Sequence, residues 1–198
     1  YTSMDENIGA LKNTGFEIDL KGTLIHTRDF MWRMGVNLTH YKNVVTDLPL
    51  KDMPVTGVTR LKEGRSVYDF YLREWVGVDP DNGDPLWYKN VKDEQGNITG
   101  RTTTNDYAQA DYYYVDKSSL PKVYGGFNTP FSYNGFELSA IFAYSIGGYI
   151  VDRDVTMLWS NGSNPGRAWS TEILKRWTPE NRYTDVPALK TVPNNWNS

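Results

Sequence analysis

Val123-Tyr-Gly-Gly-Phe-Asn-Thr-Pro-Phe-Ser-Tyr-Asn-Gly-Phe-Glu-Leu-Ser-Ala-Ile-Phe-Ala-Tyr-Ser-Ile146 is the stretch whose reading decides the fold. At its centre Asn134-Gly135 is the strongest short hairpin signal, because a type I′ turn needs positive φ at both central residues. A two-residue loop makes Tyr133 face Phe136, and the register of both arms follows. One face then carries Phe131/Leu138, Thr129/Ala140, Phe127/Phe142, Gly125/Tyr144 and Val123/Ile146. The other carries Ser132/Glu137, Asn128/Ile141, Gly126/Ala143, Tyr124/Ser145 and Lys122/Gly147. A slip of one residue would scramble both faces. Pro130 falls opposite Ser139 at a non-hydrogen-bonded pair, so its missing N–H is expected to be felt by the preceding strand.

The same period of two governs an earlier stretch. From Phe16 the even positions read Phe16, Ile18, Leu20, Gly22 and Leu24, and the odd ones Glu17, Asp19, Lys21 and Thr23. The pattern resumes at Phe30, Trp32, Met34, Val36 and Leu38, opposed by Met31, Arg33, Gly35, Asn37 and Thr39. Such alternation predicts strands with one apolar and one polar face. Ile25-His26-Thr27-Arg28-Asp29 between them is a polar link of hairpin length. Four strands are thus expected near 14–25, 30–41, 121–133 and 136–148.

Length says what these hairpins are for. The apolar rows cover residues 16–24, 30–38, 123–133 and 136–146. Soluble strands cluster near about five or six residues, whereas a tilted transmembrane strand needs about 9–11. Short links close both hairpins at one end, while residues 42–120 and 148–198 stand at the other. Outer-membrane barrels have that asymmetry, with short periplasmic turns and long extracellular loops. A soluble sandwich with long hairpins would show the same alternation, its apolar face forming the core. In the barrel reading Glu17, Asp19, Lys21, Arg33, Lys122 and Glu137 point to the lumen. Four strands cannot close a barrel, since small single-chain barrels start at about eight. The sequence also opens at Tyr1 with no initiator Met or leader. It is expected to be a piece of something longer.

Composition narrows the function classes. A chain of 198 residues makes one domain, or two at most. Its 21 Lys+Arg against 24 Asp+Glu argue against a nucleic-acid surface, which needs clustered cations. With 14 Tyr and 7 Trp against 7 Phe, the amphipathic rings suit a surface half wet and half apolar. That aromatic content also excludes disorder. Cysteine is absent, which excludes disulfides, zinc–thiolate sites and thiol nucleophiles. No apolar run reaches about 18 residues, so a transmembrane helix is excluded.

The long segments carry weaker signals. Val67–Val76 reads as a strand, Asp79–Pro85 as a turn, Leu86–Tyr88 as a return strand and Asp93–Asn97 as a second turn. Asp79, Asp81 and Asp84 are weak candidates for Ca2+, because hard cations favour clustered oxygens. They lack the full calcium-loop spacing, and Asp is common in turns; no other cofactor is indicated. Ser170 is expected to cap a short helix through Trp177, with Trp169, Ile173 and Trp177 on one stripe and Thr178-Pro179 as its end. Those tryptophans either pin the loop to a barrel rim or offer a stacking platform for sugar rings or a partner protein. Enzyme readings lack their parts. The two histidines, His26 and His40, lie at opposite ends of the first hairpin, no carboxylate spacing picks out an acid/base pair, and no Gly-rich phosphate loop occurs.

Several motifs together resemble one family. Asn7-Ile-Gly-Ala-Leu-Lys-Asn-Thr-Gly-Phe-Glu17 resembles the segment leading into a late barrel strand of TonB-dependent receptors. Gly77-Val-Asp-Pro-Asp-Asn-Gly-Asp-Pro-Leu-Trp-Tyr88 is similar to the GVDPxTGDPLWY loop of their SusC/RagA branch. Leu120–Phe127 with Phe131–Ser139 resembles that branch's strand–turn–strand, and Arg176–Asn181 with Thr184–Pro187 its RWTPEN…TDVP loop. The matches keep their order over nearly the whole chain.

The resemblance implies an all-β fold: part of the C-terminal half of an antiparallel transmembrane barrel of about 22 strands. It implies import of glycans or peptides across the outer membrane of a Gram-negative, Bacteroidetes-type bacterium, driven by TonB. The expected partners are the lipid bilayer, a SusD-like surface lipoprotein as lid, TonB through regions absent here, and a second SusC–SusD pair. A plug domain is expected outside this sequence. Trp32, Tyr41, Tyr133 and Tyr144 are the candidate membrane-interface aromatics, and Trp75, Trp87, Trp159 and Trp169 the candidate ligand surface. A soluble secreted carbohydrate-binding β-module and a non-transporting adhesion or structural barrel are the alternatives.

Overall fold

A computed structural model describes residues 9–51, 53–159, 166 and 168–190. In chain order the strands are β1 (Ala10–His26), β2 (Phe30–Asp47), β3 (Val55–Thr56), β4 (Thr59–Arg60), β5 (Asp69–Arg73), β6 (Trp75–Val78), β7 (Pro85–Lys92), β8 (Ile98–Thr104), β9 (Tyr112–Ser118), β10 (Val123–Tyr133) and β11 (Phe136–Ile146). One short helix, α1, covers Arg153–Leu158. The chain divides into two compact units, Tyr1–Phe70 with Asp116–Ile150 and Tyr71–Val115 with Val151–Ser198.

The first unit is built on a four-stranded antiparallel sheet in the order β1-β2-β10-β11. The β10–β11 hairpin has the register that its turn dictates, from Tyr133↔Phe136 to Val123↔Ile146. Asn134 (φ 46°) and Gly135 (φ 84°) supply the two left-handed residues. β1 and β2 join through Thr27–Asp29, where the Thr27 amide and hydroxyl both donate to the Phe30 carbonyl.

Register carries one apolar face across all four strands. Leu20, Val36, Phe127 and Phe142 form one row, and Ile18, Leu38, Gly125 and Tyr144 the next. Phe127 and Phe142 stack at 4.4 Å, and Trp32 stacks on Phe131 at 5.5 Å. The indole N–H of Trp32 donates to the Thr129 hydroxyl at 2.8 Å, so this ring's polar edge is satisfied on the apolar face. Leu20 (65%), Leu138 (68%) and Phe142 (48%) remain exposed, so no described residue of this unit covers that face. The opposite face bears Glu17, Asp19, Lys21, Arg33, Asn37, Asn128 and Glu137.

Pro130 acts where its missing N–H predicts. The β10–β11 ladder runs through Pro130↔Ser139 without interruption. The β10–β2 ladder pairs Tyr124–Asn128 with Thr39–Gly35, skips Thr129 and Pro130, and resumes at Phe131↔Trp32 in the same register. Gly125 lets β10 close on β2, because a Cβ there would lie 2.1 Å from the Asn37 carbonyl oxygen.

β1 and β2 run longer than the alternation suggests, to Ala10 and Asp47. Hydrophobic patterning stops near Thr14, but backbone pairing continues to Leu11↔Val45. Above that point Val45, 3% exposed, exchanges backbone hydrogen bonds with Gly64 and Arg65. Buried Asn43 donates to Asn13 and accepts from the Val67 amide and the Ser66 hydroxyl, tying the 64–67 turn to β2.

The expected Val67–Val76 strand is two strands, β5 and β6, broken at Glu74. The carbonyl of Glu74 turns to accept from the Tyr88 amide, and a bulge follows between Trp75 and Gly77. The return strand is longer than Leu86–Tyr88: β7 pairs with β6 on one side and with β8 on the other. The helix expected from Ser170 to Trp177 is a 3-10 turn over Thr171–Lys175. Ser170 does cap it, accepting from the Glu172 amide. The turn stops early because Arg176 is extended and Trp177 is drawn away, its amide donating to Val186 and its indole to the Pro80 carbonyl. α1, capped by Asp152, went unread in the sequence.

Candidate functional site

The second unit holds six of the seven tryptophans and half of the fourteen tyrosines, and strand alternation sorts them. In Tyr112-Tyr-Tyr114 a period of two sends rings 112 and 114 to one side and ring 113 to the other. Tyr71 stacks on Tyr112 at 5.5 Å and tilts against Tyr114 at 4.7 Å. Arg73 lies 4.1 Å from the Tyr107 ring and 4.7 Å from that of Tyr112, its Nε donating to the Ala110 carbonyl. On the other side Arg101 lies 4.1 Å over Tyr113 and 5.5 Å from Tyr88, and pairs with Glu74 at 3.1 Å. The Tyr113 hydroxyl donates to Asn90 at 2.8 Å. Burial, reinforced by the nearby Asp111 carboxylate, raises that phenol above its ordinary range. These two arginine–tyrosine tiers were missed by the sequence reading; the Tyr112–Tyr114 run was the signal that could have shown them.

Of the four candidate tryptophans, the fold brings two together. Trp75 and Trp87 meet edge to face at 5.7 Å, and Trp87 continues to Tyr107 at 5.2 Å. Trp87 is 7% exposed and packs with Ala110 as core, so it backs the surface rather than forming it. The reason is its place in β7, the middle strand of the three-stranded sheet. Trp75, on the edge strand β6, is 42% exposed. Trp159 caps the C-terminus of α1 and is half-buried, while Trp169 is 37% exposed. Their segments are tied by the Ser170 amide donating to the Leu158 carbonyl.

The aspartate loop is an internally satisfied turn. Asp79 accepts from the Asp81 amide and the Asn82 side chain, Asp81 pairs with Arg182, and buried Asp84 pairs with Lys190 and accepts from Asn105. Each carboxylate thus has its own partner. Among the described residues no three His, Cys, Asp or Glu side chains converge as a cation site requires. The calcium reading gives way to a structural one. Gly83, at φ 76°, lies beneath the Trp177 ring, where a Cβ would come within 2.8 Å.

Three of the four candidate interface aromatics lie on the apolar face of the first unit. Trp32 and Tyr133 share the row parity of Phe131, and the Tyr144 hydroxyl crosses Gly125 to the Asn37 carbonyl. Tyr41 does not join them. It has the parity of Thr39 and Asn37 and meets Tyr124 edge to face on the polar side.

No family model matches the chain. TonB-dependent receptors P3 and P26 of Formosa agariphila are each 27% identical over 94% of the chain, which covers 20% of each receptor. TonB-dependent receptor SusC of Bacteroides thetaiotaomicron is 27% identical over 74% of it. Among solved structures, the RagAB peptide transporter matches 96% of the chain at 30% identity with a TM-score of 0.82. The chain belongs to the SusC/RagA-type TonB-dependent receptors. It spans about a fifth of the length of the receptors it matches. The relatives are receptors and a peptide transporter by name.

Proposed function

We propose that this stretch supplies four wall strands and two extracellular loop regions to a TonB-dependent importer in the outer membrane of a Bacteroidetes-type bacterium. The importer takes up glycans or peptides together with a SusD-like surface lipoprotein, in a dimer of such pairs. TonB engages regions outside this chain. The observation that carries the reading is the long-stranded sheet with one unbroken, uncovered apolar face. A bilayer is the solvent that suits such a face, while the polar face with Glu17, Asp19, Lys21 and Arg33 suits a wet or protein-filled lumen.

On this reading Trp32, Tyr133 and Tyr144 sit at the membrane faces and Tyr41 faces inward. The ligand surface gathers exposed Trp75 and Trp169, backed by Trp87, with Trp159 beside α1. Aromatic faces with interleaved arginines stack equally well on sugar rings and peptide planes. Exposed Met157 (51%), Leu174 (73%) and Tyr183 (90%) suit burial under the lid.

Cells lacking the full-length receptor test this directly. Uptake of labelled oligopeptides and of labelled oligosaccharides is measured with and without a protonophore. Loss of one class, matching what the protonophore removes in the parent, is expected. Unchanged uptake of both would overturn the proposal.

A further inference from the structure

The outward face of the first unit changes character within a single row. Phe16 opposite His40 and Val123 opposite Ile146 are its last apolar pairs at the end away from the tight turns. The next row holds Thr14 and Lys42, and the one beyond it Lys12 opposite Val44. Lys12 and Lys42 are therefore diagonal neighbours on the same face, about 7–8 Å apart at their backbones. Both are exposed, and neither makes an ion pair among the described residues.

The sheet also opens at that level. β10 begins at Val123, so beyond His40 the neighbour of β2 on that side is no longer a strand but the Gly64–Arg65 turn, whose backbone bonds to Val45. The resulting cleft, about 360 Å3, lies between the β2 residues 40–44, the turn at residues 64–66 and the segment Leu120–Lys122. His40 holds its far wall, its Nδ1 against the Lys122 carbonyl. The other charged groups there are Arg65 and Asp69. Arg65 is committed to Asp116 at 2.8 Å and Asp69 at 3.9 Å. The ammonium groups of Lys42 and Lys122 make no ion pair among the described residues, and Lys12 lies diagonal to Lys42 just outside the cleft.

We propose that this cleft binds the phosphate of an anionic lipid headgroup in the leaflet that the loops face. The inference rests on the reading above that the apolar face meets lipid. Given that, Lys42 lies one strand row beyond the hydrocarbon edge, at the depth of headgroup phosphates. Lysines there place their stems along the apolar rows and their ammonium groups among the phosphates. Val44, Leu120 and Pro121 give the cleft an apolar floor for the lipid's backbone.

The test uses the full-length receptor in detergent, titrated with monophosphoryl lipid A and read by native mass spectrometry. Lys12→Gln/Lys42→Gln should bind the lipid roughly thirtyfold more weakly, the effect of two ammonium groups near an anionic surface. Lys12→Arg/Lys42→Arg should retain binding, and Lys21→Gln, on the opposite face, should not change it. Equal binding by the double Gln variant overturns the site, and so does equal binding of dephosphorylated lipid A. Displacement of the lipid by an equal concentration of inorganic phosphate would show a free-anion site and overturn the lipid assignment. Membrane insertion is followed in the same preparations by heat-modifiable gel mobility. A receptor that needs no detergent sinks both readings, whereas an inserted receptor with unaltered lipid binding sinks this one alone.

Discussion

Leu20→Arg tests the membrane reading at its centre. Leu20 lies midway along the Phe16–Leu24 apolar run and 65% of it is exposed, in a row with Val36, Phe127 and Phe142. Four residues of strand to either end is about 13 Å. With a tilt near 40° this is about 10 Å along the normal, close to half of an apolar band about 25 Å tall. Leu20 therefore falls near the midplane, where an arginine costs roughly 2–4 kcal/mol. Near the band's edge Phe16→Arg should cost about 0–1 kcal/mol for its charge. Thr23→Arg, on the polar face, pays no such penalty. The full-length variants are unfolded from lipid vesicles with denaturant and followed by heat-modifiable mobility. Leu20→Arg should lower the folding equilibrium roughly 30- to 1,000-fold, with Phe16→Arg well above it. If Leu20→Arg and Thr23→Arg are equally stable, the face does not meet hydrocarbon and the argument fails.

Two further outcomes follow from the second unit. Trp87→Ala should destabilise that unit by about 3–5 kcal/mol, the cost of emptying a buried indole; Trp75→Ala should leave stability nearly unchanged while weakening ligand uptake. Thermal unfolding and transport assays on the two variants separate these, and equal stability losses would contradict the burial difference. At the β7–β8 turn, hydrogen bonds from the Asn97 side chain and amide, with those from Gln95 and Gly96, hold the Asp93 carboxyl below its usual range. A lowered acid favours the folded turn while ionised, so its contribution is present above the ordinary carboxylate pKa and is lost as pH falls through the lowered one. Hydrogen exchange at residues 93–97, corrected for intrinsic pH dependence, should accelerate on acidification in the parent. Asp93→Asn should remove that dependence, and an identical profile in both would refute the assignment.

Much of the first unit was legible because it is local. Asn134-Gly135 fixes a register that needs nothing beyond its own residues, and parity then assigns every side chain from Val123 to Ile146 to a face. Pro130 was readable for the same reason, since a missing N–H has one direction in which to matter. Where the reading failed, distant partners decided. Trp87 looks like any loop tryptophan until β8 pairs beside it. Asp84 looks like a ligand until Lys190 arrives from over a hundred residues away. The helix expected at Ser170 has its cap, but Val186 and Pro80 compete for Trp177 and win. Tyr41 was legible and was misassigned: its odd number already placed it with Thr39. The arginine–tyrosine tiers combine parity, which sequence shows, with the approach of Arg73 and Arg101, which it does not.

The skipped pairs at Thr129 and Pro130 make the β2–β10 seam two short zippers, one at Tyr124–Asn128 and one at Phe131–Tyr133. Each hairpin can form early from near neighbours, but this seam joins strands separated by the whole intervening loop region and forms after that loop closes. Because both zippers keep one register, the interruption weakens the seam without offering it a second alignment. Local opening of the sheet should therefore start beside Pro130. The amide of Arg33, which faces Pro130 across the seam, would exchange ahead of those in the uninterrupted β10–β11 ladder. An inserted wall strand pair would thus have a built-in parting line, placed by a single residue that its own hairpin does not notice.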